Sequence, residues 1–193
     1  MGELDPYKKK VEAQRFTKDS FFKLAEESPI PFEDKVKFLE LDYYKPSKDY
    51  KLNAPITLLT NIDTIELPGT RGDITKYLKF AKVNFKLNEK ENQLLLLKPI
   101  QSKETKDGVV DVFIPFTDLT TDKTTYGAGR YIETQINIHK SSMELDFNTA
   151  FNPFCAYNEN YTCPVPPEEN KLTIPIEAGE KKYAPYFSTA PKL

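Results

Sequence analysis

The stretch Tyr77-Leu-Lys-Phe-Ala-Lys-Val-Asn-Phe-Lys-Leu87, followed by Asn88-Glu-Lys-Glu-Asn92 and Gln93-Leu-Leu-Leu-Leu97, decides the fold class. Ala81, Val83, Phe85 and Leu87 alternate with Lys82, Asn84 and Lys86. A period of two puts the apolar set on one face of a strand and the polar set on the other. The polar run Asn88 to Asn92 is the turn expected between them, and Gln93 to Leu97 is the returning arm of a hairpin.

Working outward, Val109 to Phe116 is almost wholly apolar and reads as a central strand ending near Pro115. Ile132, Thr134, Ile136 and Ile138 alternate with Glu133, Gln135 and Asn137; Met143, Leu145 and Phe147 alternate with Glu144, Asp146 and Asn148. The short connection His139 to Ser142 suggests a second hairpin pairing Ile138 with Met143, Ile136 with Leu145 and Thr134 with Phe147. Arg130 shares the parity of Ile132, so if the strand starts early its guanidinium is expected to point inward. Leu172, Ile174 and Ile176 read as a last strand, placed at an edge or bulged by Pro175.

Upstream the period differs. Asp5 and Pro6 suit an N-cap and a first helical position, and no breaker interrupts Tyr7 to about Glu27. Ser28-Pro-Ile-Pro31 stops that helix. Phe32 to Leu41 is a weaker helical stretch and Tyr43 to Asn53 an extended connection. The fold class is therefore α+β and mainly β: an antiparallel β-sandwich or partly closed barrel with an N-terminal helical arm. One domain spans 1–193, with arm and connection over 1–53, β core over 54–178 and a C-terminal tail over 179–193.

Composition narrows function. Lys and Arg total 27 against 29 Asp and Glu, a net charge of −2 without the basic footprint of a nucleic-acid binder. The longest apolar run, Leu94 to Leu97, has strand length, so no membrane span is expected. Met1 to Lys8 holds no apolar secretory region, and Pro6 breaks the myristoylation pattern. The expectation is a soluble cytoplasmic or organellar protein, exported only if a signal has been removed. Asn160-Tyr161-Thr162 matches a glycosylation sequon, relevant only to a secreted eukaryotic protein.

Phe113-Ile-Pro-Phe-Thr-Asp-Leu-Thr120, Thr125-Tyr-Gly-Ala-Gly-Arg-Tyr131 and the block Leu145 to Asn170, with Ser28-Pro29 and Tyr43 to Leu52, resemble an uncharacterised bacterial and archaeal family, domain of unknown function 1684. The resemblance covers nearly the whole chain. Ala128 departs from the usual Gly-Gly-Gly-Arg-Tyr, leaving Gly127 and Gly129 as the flexible positions. The resemblance implies no activity, substrate or cofactor.

Candidate ligand-binding residues follow from chemistry. Tyr126, Gly127, Gly129, Arg130 and Tyr131 could let backbone amides approach a ligand while Arg130 grips a carboxylate or phosphate. The alternative is a tight turn with Arg130 paired to Asp118, Asp146 or Glu169, which weighs more heavily because a buried guanidinium needs a partner. Asp146, Asn148, Asn152, Glu169 and Asn170 form a carboxylate and amide set: acid–base chemistry if Glu169 approaches Asp146, loop capping otherwise, and capping outweighs catalysis. Tyr157 offers an aromatic wall. Cys155 and Cys163 are expected as a disulfide or paired thiols; as metal ligands they lack two partners, since His139 is the only histidine. No metal or cofactor is expected.

Three readings result: a binding module for a small anionic ligand, an accessory subunit gripping protein partners through the N-terminal helix and C-terminal tail, and a cofactor-independent hydrolase. The first is favoured because the motifs concentrate at one end of the expected second hairpin.

Overall fold

The computed structural model describes residues 5–184; the expected tail beyond Ala184 lies outside the described residues. Helix α1 (Pro6–Leu24) starts where Asp5 caps it, its carboxylate accepting from the Tyr7 amide at 2.9 Å, with Pro6 in the first turn. Only Val11 and Phe22 of α1 are buried, which explains the lack of one clean apolar stripe. The helix is instead held by polar contacts. Lys18 pairs with Glu180 at 2.6 Å, Arg15 Nη1 donates to the Tyr44 carbonyl at 2.8 Å, and Asp19 accepts from the Leu41 amide at 3.0 Å. Phe22 seats the C-terminal end among Ile30, Phe38, Leu41 and Tyr157, its ring 4.8 Å from that of Tyr157. The expected second helical stretch shrinks to α2 (Phe32–Lys35).

Seven strands follow: β1 (Lys51–Leu58), β2 (Thr64–Pro68), β3 (Ile74–Leu87), β4 (Lys90–Pro99), β5 (Val109–Phe116), β6 (Arg130–Asn137) and β7 (Ser142–Asp146). They form one antiparallel sheet in the order β6-β5-β4-β3-β1-β7, with β2 added beside the start of β3. The β3–β4 hairpin is present, but its turn is only Asn88 and Glu89, with Leu87 opposite Lys90. Both turn residues have positive φ, 52° and 60°. That backbone twist matches strand twist, so the strands pair right up to a two-residue loop and absorb Lys90 to Asn92.

The sheet curls into a nearly closed barrel. Ala81, Val83, Phe85, Leu94, Leu96, Val110, Val112, Ile114, Phe116, Ile132, Ile136, Met143, Leu145 and Phe147 fill its interior. A second apolar cluster, with Leu67, Leu95, Leu97, Phe113, Tyr131 and Cys163, lies on the outer face. The continuous run Leu94 to Leu97 is thereby explained: even positions face the barrel interior and odd positions the second cluster, so both faces are dry.

Two expectations are corrected. The hairpin pairing Ile138 with Met143 does not form: β6 pairs with β5 along its whole length, and β7 pairs with β1, Leu145 opposite Leu52 and Met143 opposite Ala54. Residues 138–141 turn a corner between two ends of the sheet. The parity was sound, because Ile132, Ile136, Met143 and Leu145 do share one core. Periodicity assigns a face, and the partner is whichever strand the closed sheet delivers.

The expected strand Leu172 to Ile176 is also absent. Its three apolar side chains enter the barrel core, but the backbone runs irregularly, tied by Leu172 N to the Thr117 carbonyl at 2.8 Å and Ile176 N to Asp118 Oδ1 at 3.1 Å. Pro175 has no amide to give a ladder. This segment plugs the end of the barrel. The connection expected over Tyr43 to Asn53 contains a turn at Lys48–Tyr50 and the first residues of β1.

Candidate functional site

The motif Tyr126 to Tyr131 delivers Arg130 into the interior, where it is 1% exposed. Its Nη2 pairs with Asp118 at 2.9 Å and donates to the Ile176 carbonyl at 2.8 Å; Nη1 donates to the Ala178 carbonyl and, at 3.2 Å, to that of Glu180. Asp118 is itself held by Thr120 and the Ile176 amide. Both terminal nitrogens are occupied by protein and only Nε is left unbonded, so a ligand has no two-donor fork left to bind there. Gly129 needs its freedom: φ is +93° and a Cβ would lie 2.7 Å from the Phe116 carbonyl oxygen. Gly127 does not adopt positive φ, which corrects the expectation for that position.

Most other candidates are engaged as well. Asn170, fully buried, accepts from Leu95 N at 2.7 Å and donates to the Leu95 and Pro115 carbonyls at 2.9 and 2.8 Å. Glu169 pairs with Lys79 at 3.1 Å on the surface, so it does not join Asp146. Asn152 and Tyr157 converge on Glu180, which also receives Lys18. Tyr131 donates to the Pro164 carbonyl, and Tyr126 donates to Cys155 Sγ. Among the described residues no group of three or more His, Cys, Asp or Glu side chains could hold a metal ion.

Glu180 is wholly buried, and burial pushes its carboxyl above the ordinary value of 4.5, with Lys18 and the Asn152 amide pulling back. A folded-state carboxyl raised in this way holds its proton where the unfolded chain has lost it. Its contribution to stability is complete below the ordinary value and is lost as pH rises through the raised one. Glu180→Gln cannot titrate. The unfolding free energy of the wild type minus that of E180Q is therefore expected to fall as pH rises above 4.5, measured by urea titration at a series of pH values.

The open ground lies elsewhere, along the seam where β6 and β7 fail to pair. Phe151 bridges back to Tyr131 with two backbone bonds of 2.9 Å and narrows the seam at one end. Helix α1 crosses the rest. Between them is a groove of about 430 Å³ lined by Tyr7, Lys10, Arg15, Lys18, Tyr43, Lys51, residues 132–135 of β6, Glu144, Asp146 and Asn148, among others. Such a volume suits a small ligand. Of the residues expected from the sequence, Asp146 and Asn148 line it.

Most polar groups of the groove are paired. Tyr7 Oη donates to Asp146 at 2.9 Å, and burial first, then that carboxylate, pushes the Tyr7 phenol up so that it stays a donor. Asn148 exchanges two bonds with the Ser47 backbone at 2.9 and 2.8 Å, and Lys51 pairs with Glu144 at 3.0 Å. Arg15 differs. Its carbon Cζ stacks 4.4 Å over the Tyr43 ring, yet Nε and Nη2 are buried and bonded to nothing, and no carboxylate lies within ion-pairing distance among the described residues. The Tyr43 hydroxyl below is buried and unbonded too. Burial presses the Arg15 guanidinium toward a lower pKa and keeps the Tyr43 phenol protonated.

Arg15, Tyr43 and Tyr7 were not singled out by periodicity or spacing. One compositional signal pointed to Arg15. It is one of three arginines, with Arg71 and Arg130, among 27 basic residues. A chain that otherwise uses lysine keeps arginine where a planar donor fork matters.

Fold and groove together define a nearly closed antiparallel barrel whose seam is roofed by a helix and furnished with unpaired cationic donors. The family model for protein of unknown function DUF1684 matches residues 36–181, and the chain belongs to that family. It is similar to an uncharacterized protein of Haloarcula marismortui whose structure was solved by NMR in solution. The two are 33% identical, with a TM-score of 0.68 over 91% of this chain and 94% of that one. No curated protein matches it significantly. No helix among the described residues is long and apolar enough to cross a membrane.

Proposed function

We propose that the protein is a binding module for a small anionic ligand, a carboxylate or phosphate, held in the groove between α1 and the β6–β7 seam. One observation carries the reading: the Nε and Nη2 donors of Arg15 are buried without a partner in a cavity of ligand size. An unpaired buried donor costs about 1–3 kcal/mol, and more when charged, which an anion would relieve. Nε–H and Nη2–H form one edge of the guanidinium, the geometry that takes two oxygens of a carboxylate or phosphate at once. Tyr43 Oη adds a neutral donor, and Lys10, without an ion pair among the described residues, adds charge at the rim. The anion-binding role once assigned to Arg130 moves to Arg15, and the Asp146 side of the site stays.

The arm supports a second reading, an accessory subunit, because Phe16, Leu24, Phe32, Val36 and Leu39 are all exposed. Native mass spectrometry of protein purified from its own source separates the two: a small-anion adduct favours the module and a co-purified chain the subunit. Titration calorimetry with inorganic phosphate and with succinate then tests the site. Arg15→Met is expected to weaken binding of whichever probe binds by about 10- to 100-fold, the worth of a charged hydrogen-bond pair. Equal affinities of R15M and wild type would end the proposal.

A further inference from the structure

We propose that Cys155 and Cys163 form a site of reversible oxidation by hydroperoxides, with Cys155 the attacking thiol and Cys163 the resolving one. Both cysteines are free. The turn Phe154–Ala156 brings the Cys155 amide to donate to Cys163 Sγ at 3.3 Å, so the two residues are in direct contact although eight apart in sequence. Thr70 fixes the second cysteine from the other side: the Cys163 amide donates to Thr70 Oγ1 at 3.3 Å, and the Thr70 amide to the Cys163 carbonyl at 3.0 Å. Pro153 and Pro164 flank the pair and restrict the chain around it.

The two thiols are not equivalent. Cys163 is buried, 7% exposed, in the outer-face cluster, while Cys155 is only partly buried and packs against that cluster. The Tyr126 hydroxyl donates to Cys155 Sγ at 3.6 Å, the kind of bond that favours a thiolate over a thiol. Hydrogen bonding from Cys163, assisted by Tyr126 and Thr70, draws the Cys155 thiol down to about 6, and the same contact pushes Cys163 up. The direction favours Cys155, the less buried of the two, as the thiol that gives up its proton first. This role also explains why Tyr126 faces the loop rather than a ligand groove. None of these residues lines the Arg15 groove.

The chemistry balances. The Cys155 thiolate attacks the terminal oxygen of a hydroperoxide; the O–O bond breaks, and the leaving alkoxide or hydroxide takes a proton to depart as alcohol or water. Sulfur is oxidised by two electrons to the sulfenic acid. The Cys163 sulfur, losing its proton, then attacks Cys155 Sγ and water leaves as the disulfide forms. A dithiol reductant returns the pair to its starting state by exchange.

The test uses the full chain, reduced, with hydrogen peroxide as probe and intact mass and peptide mapping as readouts. Wild type is expected to lose two hydrogen masses, with one Cys155–Cys163 bridge that dithiothreitol reverses. Cys163→Ser should stop at a sulfenic acid on Cys155 that dimedone traps, and Cys155→Ser should be inert. Tyr126→Phe should slow alkylation of Cys155 by iodoacetamide several-fold, roughly 3- to 10-fold, and move its pH profile upward. The order of alkylation in the unsubstituted protein needs no variant to fold: Cys155 should react about 10-fold or more ahead of Cys163. Alkylation of Cys163 first, a bridge only between chains, or the absence of a dimedone adduct in C163S would overturn the proposal.

Discussion

Replacing Arg130 with alanine is expected to lower the unfolding free energy by about 3–5 kcal/mol, the cost of stranding one half of a buried ion pair. Asp118 would be left at 1% side-chain exposure with only Thr120 and the Ile176 amide to hold it. The carbonyls of Ile176, Ala178 and Glu180 would lose their donor as well. For a chain of this size the loss corresponds to roughly 10 °C in Tm. A double replacement, Arg130→Met with Asp118→Leu, separates the two parts. Removing both charges should restore most of the ion-pair cost, and the deficit that remains reports the three carbonyls together with the Thr120 and Ile176 donors that Asp118 accepted. Denaturant titration of the wild type and the two variants is the measurement. An R130A protein within about 1 kcal/mol of wild type would show that the arginine is not what ties the 176–180 segment to the barrel.

Asn170 is expected to be nearly as costly. Strands β4 and β5 share a single paired position, Leu97 with Phe113, and at Leu95 the ladder is completed by a side chain instead. The Asn170 carboxamide accepts from Leu95 N and donates to the carbonyls of Leu95 and Pro115, as a neighbouring peptide group would. Asn170→Ala leaves three buried backbone groups unbonded, for about 2–4 kcal/mol after partial relaxation. Asn170→Asp should be at least as damaging at neutral pH, because a carboxylate oxygen would then face two carbonyls. Its carboxyl would be raised by that environment, so the stability of N170D should increase as pH falls and a proton restores one donor. Urea titrations at neutral and acid pH check both statements, and a flat pH response in N170D would contradict them.

The fold was legible to the extent that it rests on alternation. Asp5 and Pro6 announced the start of α1, and the patterns of β3, β4, β5 and β6 placed the correct side chains in the core. Strand β1 was less visible. Its sequence Lys51-Leu-Asn-Ala-Pro-Ile-Thr-Leu58 contains a proline and lacks a clean alternation, because it changes partner along its length from β7 to β3. Missing β1 produced the wrong hairpin, since β7 then had no neighbour except β6. The plug at Leu172 to Ile176 shows the same limit: alternate burial can be met by an irregular segment entering a barrel end.

The candidate site was legible in part. Asp146 and Asn148 were found because carboxylate and amide side chains cluster in sequence near β7, and they do line the groove. Arg15 was overlooked because its place over the seam depends on contacts with Tyr43 and Tyr44, some 30 residues away. Arg130 showed the opposite error, a conspicuous motif whose terminal nitrogens are spent on the fold.

The amino-acid sequence by itself determined which residues face inward, that the body is antiparallel β, that Arg130 is buried and that Cys155 and Cys163 belong to one loop. These follow from local sterics and from the two-residue period, which act over neighbours in the chain. Only the tertiary structure decided which strands meet, which arginine is bonded at both terminal nitrogens and which keeps a two-donor edge free. A hydrogen-bond partner is set by what the rest of the chain brings within about 3 Å. Carbonyls 46–50 residues downstream take both terminal nitrogens of Arg130, whereas Nε and Nη2 of Arg15, over the unpaired seam, are left without a partner.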